Sequence, residues 1–299
     1  MKKIFSFLLA VIMIFSFCAC TAEKEQQDNK DDTLLNYTVD SHYSTYDESV
    51  IRAYNKLCEA VEKGETSVKF NYTMADSVNQ LFYTCYPLYS LVSNASFTED
   101  NSAVTITYIN DIETHKKLVA QFKEKLNSVM EKCGYNKVGL NEYIFNVYTY
   151  ISKNIVIDSS VTSSFEALLQ GKGIEAAVNS LFEYLVLQGG GRACHAINLD
   201  GASTMISTAN FNGKWYYFDP ASEARLNAGK ALTRFAMNDE NVKKLYSVAG
   251  FTYTDGEKIV PITDKSYSSL INSTEYKIDN SKVDVTLSGD DKVFSITFN

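Results

Sequence analysis

The chain has few prolines, few histidines and no surplus of positive charge. Only three prolines occur in 299 residues, which excludes long Pro-rich linkers. Lysine and arginine total 28 against 36 aspartates and glutamates, a net charge of −8. Such a chain repels nucleic acid and anionic membrane surfaces, and basic runs interleaved with aromatics are absent. No nucleic-acid partner is therefore expected. With three histidines, and with Cys58, Cys85, Cys133 and Cys194 spaced far apart, no metal-ligand pattern is legible and no cofactor is expected. The four cysteines sit in apolar contexts; buried thiols and one or two disulfides are both open readings. No internal repeat is visible. What the chain does have is apolar mass. Its 45% hydrophobic content, with 20 Tyr and 17 Phe, suffices for one large core or two modest ones.

The longest apolar run is at the start. Lys2 and Lys3 precede Ile4 to Phe17, broken only by Ser6 and Ser16. That is shorter than the roughly 20 residues a membrane helix needs and reads as an export signal. It ends in Phe17-Cys18-Ala19-Cys20, which resembles a bacterial lipoprotein cleavage box with Phe17 where Leu is usual. The resemblance implies cleavage after residue 19 and a lipid on Cys20; bulky Phe17 makes Cys18 the poorer candidate. An ordinary secretory signal is the alternative. Thr21 to Asn36 is rich in Glu, Gln, Asp, Lys and Asn, as a tether between bilayer and folded domain should be. The expected location is outside the cytoplasm, held to the cell membrane by the anchor.

Periodicity organises the rest. Val50, Ile51, Tyr54, Leu57, Cys58 and Val61 form one stripe, which predicts a helix over 48–63, with Thr45-x-x-Glu48 as its capping box and Gly64 as its stop. A helical rhythm runs from Met74 to Tyr86, and Leu88–Phe97 and Ala103–Ile109 read as paired strands. Helices are predicted over 113–133, 141–153, 174–187 and 238–246. Strands are predicted over 193–199, 203–211, 214–219, 283–287 and 293–298. The expected plan is a signal over 1–19, a tether over 20–40, a small α+β module over 41–112, a main domain over 113–250 and a β extension over 251–299.

Ser163 to Pro220 reads SSFEALLQGKGIEAAVNSLFEYLVLQGGGRACHAINLDGASTMISTANFNGKWYYFDP. SSFEALLQGKG and NGKWYYFDP resemble the core of the bacterial transglutaminase-like (papain-like thiol) superfamily. The resemblance implies an α+β fold in which a helix carrying the nucleophile packs on an antiparallel sheet. In that family a Gly-Lys-Gly turn leads into a helix opening with the catalytic Cys, a His follows about thirty residues on, and an Asp follows a Gly-Lys-Trp-Tyr strand. Here Gly171-Lys172-Gly173-Ile174 is followed by Glu175. The His position falls on Thr204, 29 residues after Glu175, and Asp219 follows 15 residues later. Trp215 matches the family's structural tryptophan.

Acyl transfer on this scaffold needs a thiolate, lowered in pKa by the helix dipole and an imidazolium, and a His held by the Asp. Glu175 supplies no thiol, although a carboxylate suits a helix N-terminus. Thr204 has no group that titrates near neutrality. Cys194 and His195 are adjacent, so in a strand they point to opposite faces and cannot form a dyad. His42 and His115 read as solvated. A Glu175/Asp219 pair doing glycoside acid/base chemistry has nothing else behind it. The expectation is a pseudoenzyme in which Glu175, Thr204, Asp219 and Trp215 line a binding cleft for cell-envelope peptide, glycan or protein. The alternative is an active thiol hydrolase or acyl transferase using an unusual nucleophile such as Cys194.

Overall fold

Helix ends show most directly what the local sequence dictates. The computed structural model describes residues 36–70, 74–201, 205–227, 233–255, 258–259, 262, 283–288 and 293–298. The signal, Cys20 and Thr204 lie outside them. After a 3-10 turn at Ser41–Tyr43, helix α1 spans Glu48–Lys63. Its cap is Asp47, which accepts the Ser49 amide at 2.7 Å, and not Thr45. The correction follows from register, because the capping side chain must sit next to the first helical residue. Gly64 closes the helix at φ +70, a left-handed conformation that suits glycine.

Strand β1 (Ser67–Lys69), helix α2 (Ala75–Cys85), strand β2 (Val92–Phe97) and strand β3 (Ala103–Tyr108) follow. The strands form an antiparallel sheet ordered β1-β3-β2. Residues 88–91, predicted as strand, belong instead to a 3-10 turn at Pro87–Leu91. Proline at its start presets the φ of a turn and removes a ladder donor.

Helix α3 (Ile112–Lys132), capped by Asp111, and helix α4 (Leu140–Asn154) match their predicted ranges closely. His115, read as solvated, is fully buried. Its position turns the ring towards the end of α1, where Nε2 meets the Val61 carbonyl at 2.6 Å beside the Tyr108 ring. Burial lowers its pKa. Strand β4 (Val156–Ile157) pairs in parallel with β5 (Lys172–Gly173), and between them runs α5 (Ser164–Gln170), capped by Ser163.

Helix α6 (Glu175–Gln188) is the centre of the fold. It packs on strands β6 (Ala193–Asn198) and β7 (Met205–Phe211), and on α4, α5 and α7 (Pro220–Asn227). The sheet is antiparallel in the order β8-β7-β6-β9, with β8 at Lys214–Phe218 and β9 at Phe251–Thr252. Helix α8 (Asp239–Tyr246), the short pair β10 (Thr254–Asp255) and β11 (Lys258–Ile259), and the hairpin β12 (Val283–Ser288) and β13 (Val293–Phe298) complete the described chain. The architecture is α+β, with a helix packed on an antiparallel sheet. No helix among the described residues is long and apolar enough to cross a membrane.

Rings fill the core. Phe235 meets Tyr148, Phe211 and Phe218 edge to face, with centroids 5.1, 5.2 and 5.3 Å apart. Such pairs add about 0.5–1.5 kcal/mol beyond the area they bury. Residues 36–40, assigned to the tether on composition, are docked. The Asn36 amide donates to Gln188 Oε1 at 3.1 Å, and Gln188 Nε2 donates to the Asn36 carbonyl at 2.6 Å.

Gly189 shows how tightly α6 and α4 meet. A Cβ there would lie 2.1 Å from Cε1 of Tyr143, while φ at Gly189 is an ordinary −76. Tyr143 is itself fixed through its hydroxyl, which donates to the Leu185 carbonyl at 3.0 Å. Gly189→Ala should therefore cost about 1–3 kcal/mol through overpacking. Urea unfolding checks this: the midpoint falls with an unchanged m-value, and an unaltered midpoint would mean the two helices are not in contact as described.

Candidate functional site

Glu175 opens α6, directly after the short strand β5 and the cap residue Ile174. Gly173 in β5 sits close against α5, where a Cβ would lie 3.1 Å from that of Ala167. Ile174 then caps the helix without a side-chain hydrogen bond. The Glu175 carboxylate, in the first turn, is stabilised by the helix dipole. It also meets Nη1 of Arg225 in α7 at 2.9 Å, and both side chains are partly exposed.

Asp219 lies at the end of β8 and is 2% exposed. Its Oδ1 accepts the Ser222 amide at 2.9 Å, which caps α7 with Pro220 in the first helical position. The same oxygen accepts Asn179 Nδ2 at 3.1 Å, and Oδ2 accepts the Tyr246 hydroxyl. No imidazole is among these partners. Asn179, one turn along α6 from Glu175, also donates to the Met205 carbonyl at 3.1 Å and accepts the Ala221 amide at 3.2 Å. It thereby ties α6 to β7, β8 and α7. Thr204 itself is outside the described residues, but its neighbour Met205 begins β7 at this junction. Trp215 is nearly buried in β8, with the Arg192 guanidinium 5.4 Å above its ring and Tyr253 5.2 Å away.

Cys194 and His195 face opposite sides of β6, as neighbours in a strand must. The Cys194 thiol is buried against Thr208 Oγ1 at 3.0 Å, and burial pushes its pKa up. Cys58, Cys85 and Cys133 are also buried thiols, pushed up by desolvation, Cys133 to about 12. A thiol raised in this way carries almost no thiolate at neutral pH.

His195 instead points towards Asp40, its Nδ1 3.4 Å from Oδ2. Glu183 of α6 completes a group: each of Asp40, Glu183 and His195 offers a polar atom within 4.8 Å of the others. Asp40 is fixed from behind, since its Oδ1 accepts the His42 amide at 2.7 Å and its own amide donates to Cys85 Sγ at 3.5 Å. Burial pushes the Glu183 carboxyl up to about 8. The Asp40 carboxylate raises His195 to about 9, against the effect of its own burial. Beside them is a cavity of about 30 Å³ lined in part by Asp40, Cys85, Ser180, Glu183 and Tyr184. This group was not found from the sequence, where Asp40 fell in the tether and His195 read as an ordinary strand residue. A usable signal was there: Glu183 is the lone acid in the apolar run Leu181–Leu187.

No family model matches this chain, and no curated protein does. Among solved structures it is similar to a candidate cysteine protease from Cytophaga hutchinsonii, at 16% identity and TM-score 0.28 over 36% of this chain and 40% of that one. A candidate protease from Parabacteroides distasonis gives 15% and 0.27 over 42% and 30%, and a TGase gives 12% and 0.28 over 52% and 50%. The chain thus spans half or less of the length of each. At these scores the likeness carries no argument of its own, and the geometry above stands without it.

The buried thiols make a direct prediction. Iodoacetamide at pH 8, followed by peptide mapping, should leave Cys58, Cys85, Cys133 and Cys194 unmodified in the native chain and modify all four in denaturant. Rapid native alkylation of Cys194 would contradict its placement.

Proposed function

We propose that this chain is a lipid-anchored envelope protein whose transglutaminase-like domain binds without performing acyl transfer. Cys20 would carry the lipid, residues 21–35 would hold the domain off the bilayer, and 113–250 would form the binding domain, preceded by a module over 41–112 and followed by an extension over 251–299. The observation that carries the reading is the Glu175–Arg225 ion pair, which occupies the helix N-terminus where the resemblance puts a thiolate. Asp219 supports it, because its oxygens are taken up by Asn179, Ser222 and Tyr246. The buried Cys194 thiol gives no support to a thiol enzyme working from that residue.

The N-terminal end of α6 and the neighbouring α7 together present one charge of each sign, Glu175 and Arg225. That suits a peptide carrying free amine and carboxylate groups better than a neutral glycan. The expected ligand class is therefore a cell-envelope peptide, with glycan or a protein surface as outcomes of the same experiment. Calorimetric titration with cell-wall stem peptides should show binding without turnover, weakened about tenfold in Arg225→Ala. Release of product, or stoichiometric labelling of one native cysteine by a thiol-directed probe at neutral pH, would refute the proposal.

The assignment of the lost positions is testable separately. Restoring both groups as E175C/T204H should give a thiol that alkylates at least tenfold faster at pH 7 than that of E175C alone, because only the double variant recreates a thiol–imidazole pair. Equal rates would mean that residues 175 and 204 do not meet.

A further inference from the structure

We propose that Asp40, Glu183 and His195 bind a divalent transition-metal ion of the zinc class and that the ion clips the N-terminal segment onto the core. The inference is independent of the transglutaminase-like reading, since none of the three belongs to the triad-equivalent set. The ligands come from three elements: the residue before the first 3-10 turn, the middle of α6, and β6.

Three observations point to a cation. The first is spacing. His195 Nδ1 and Asp40 Oδ2 are 3.4 Å apart, long for a hydrogen bond. Two ligands of a tetrahedral zinc, each about 2.0–2.1 Å from the metal, stand about 3.4 Å apart. The second is an unmet polar atom. Glu183 is 8% exposed, its carboxylate lies within reach of Asp40 and His195 with Ser207 nearby, and its Oε1 is buried with no hydrogen-bond partner among the described residues. It is one of eight such atoms among the described residues, and it is the one that belongs to this group. The third is orientation: the His42 amide holds Asp40 Oδ1, leaving Oδ2 to face the site, the kind of outer support that metal ligands have. The cavity of about 30 Å³ beside Asp40 and Glu183 has room for a water to complete the coordination. An imidazole in the set favours zinc over magnesium or calcium.

The test uses the full chain in detergent, stripped with chelator, desalted and titrated with zinc, with metal content and heat of binding as readouts. One zinc per chain is expected. Glu183→Gln and His195→Gln should each weaken it at least tenfold while the far-UV spectrum is unchanged, with Asp40→Asn as the third variant should either fail to fold. Zinc should also slow amide exchange across residues 36–43 of the parent protein. Absence of stoichiometric zinc, or parental affinity in the folded variants, would overturn the proposal.

Discussion

A helix buried on every side must find partners inside the protein for each polar group it carries, and α6 is such a helix. From Ala177 to Gln188 nearly every residue is buried, including Asn179, Glu183 and Gln188. Burying an amide or carboxyl without a partner costs about 1–3 kcal/mol, so each of these side chains dictates something about what surrounds it. Asn179 requires the Met205 carbonyl, Asp219 and the Ala221 amide to come together. Gln188 requires the backbone at Asn36, and so brings the start of the folded unit against the end of the helix. Glu183 has one oxygen left over. The sheet, the docking of α7 and the position of the N-terminal segment all follow from the partners these three side chains take.

The same constraint gives Asp219 a structural task. Its oxygens hold Asn179, the first turn of α7 and Tyr246. At the helix N-terminus, Glu175 draws on the helix dipole and shares its charge with Arg225.

Much of this was legible in the sequence, because the interior is built on strict periods. The stripes of α1, α3, α4 and α6 gave those helices within one residue at each end. Alternation gave β6 and β8 nearly complete. The failures have separate physical causes. The box pattern points to Thr45 as the cap, yet the cap is Asp47, which stands next to the helix. Residues 88–91 are apolar enough for a strand, but Pro87 bends the chain into a turn first. A place at a helix start suggests solvent for His115, yet it is buried by a neighbour in space, the end of α1. Asp40 lay in a stretch whose composition said tether. Only the fold reveals that it stands beside Glu183 and His195, and one-dimensional spacing carries no trace of that.

The account turns on Asp219 being a structural member of the α6 junction, and a double-mutant cycle tests that most directly. Unfolding free energies are measured for the parent chain, Asn179→Ala, Asp219→Ala and the double variant. Partners in one buried network should show a coupling of about 0.5–3 kcal/mol, with the double variant losing less than the sum of the singles. Additive losses would contradict the account, because Asn179 and Asp219 would then act independently.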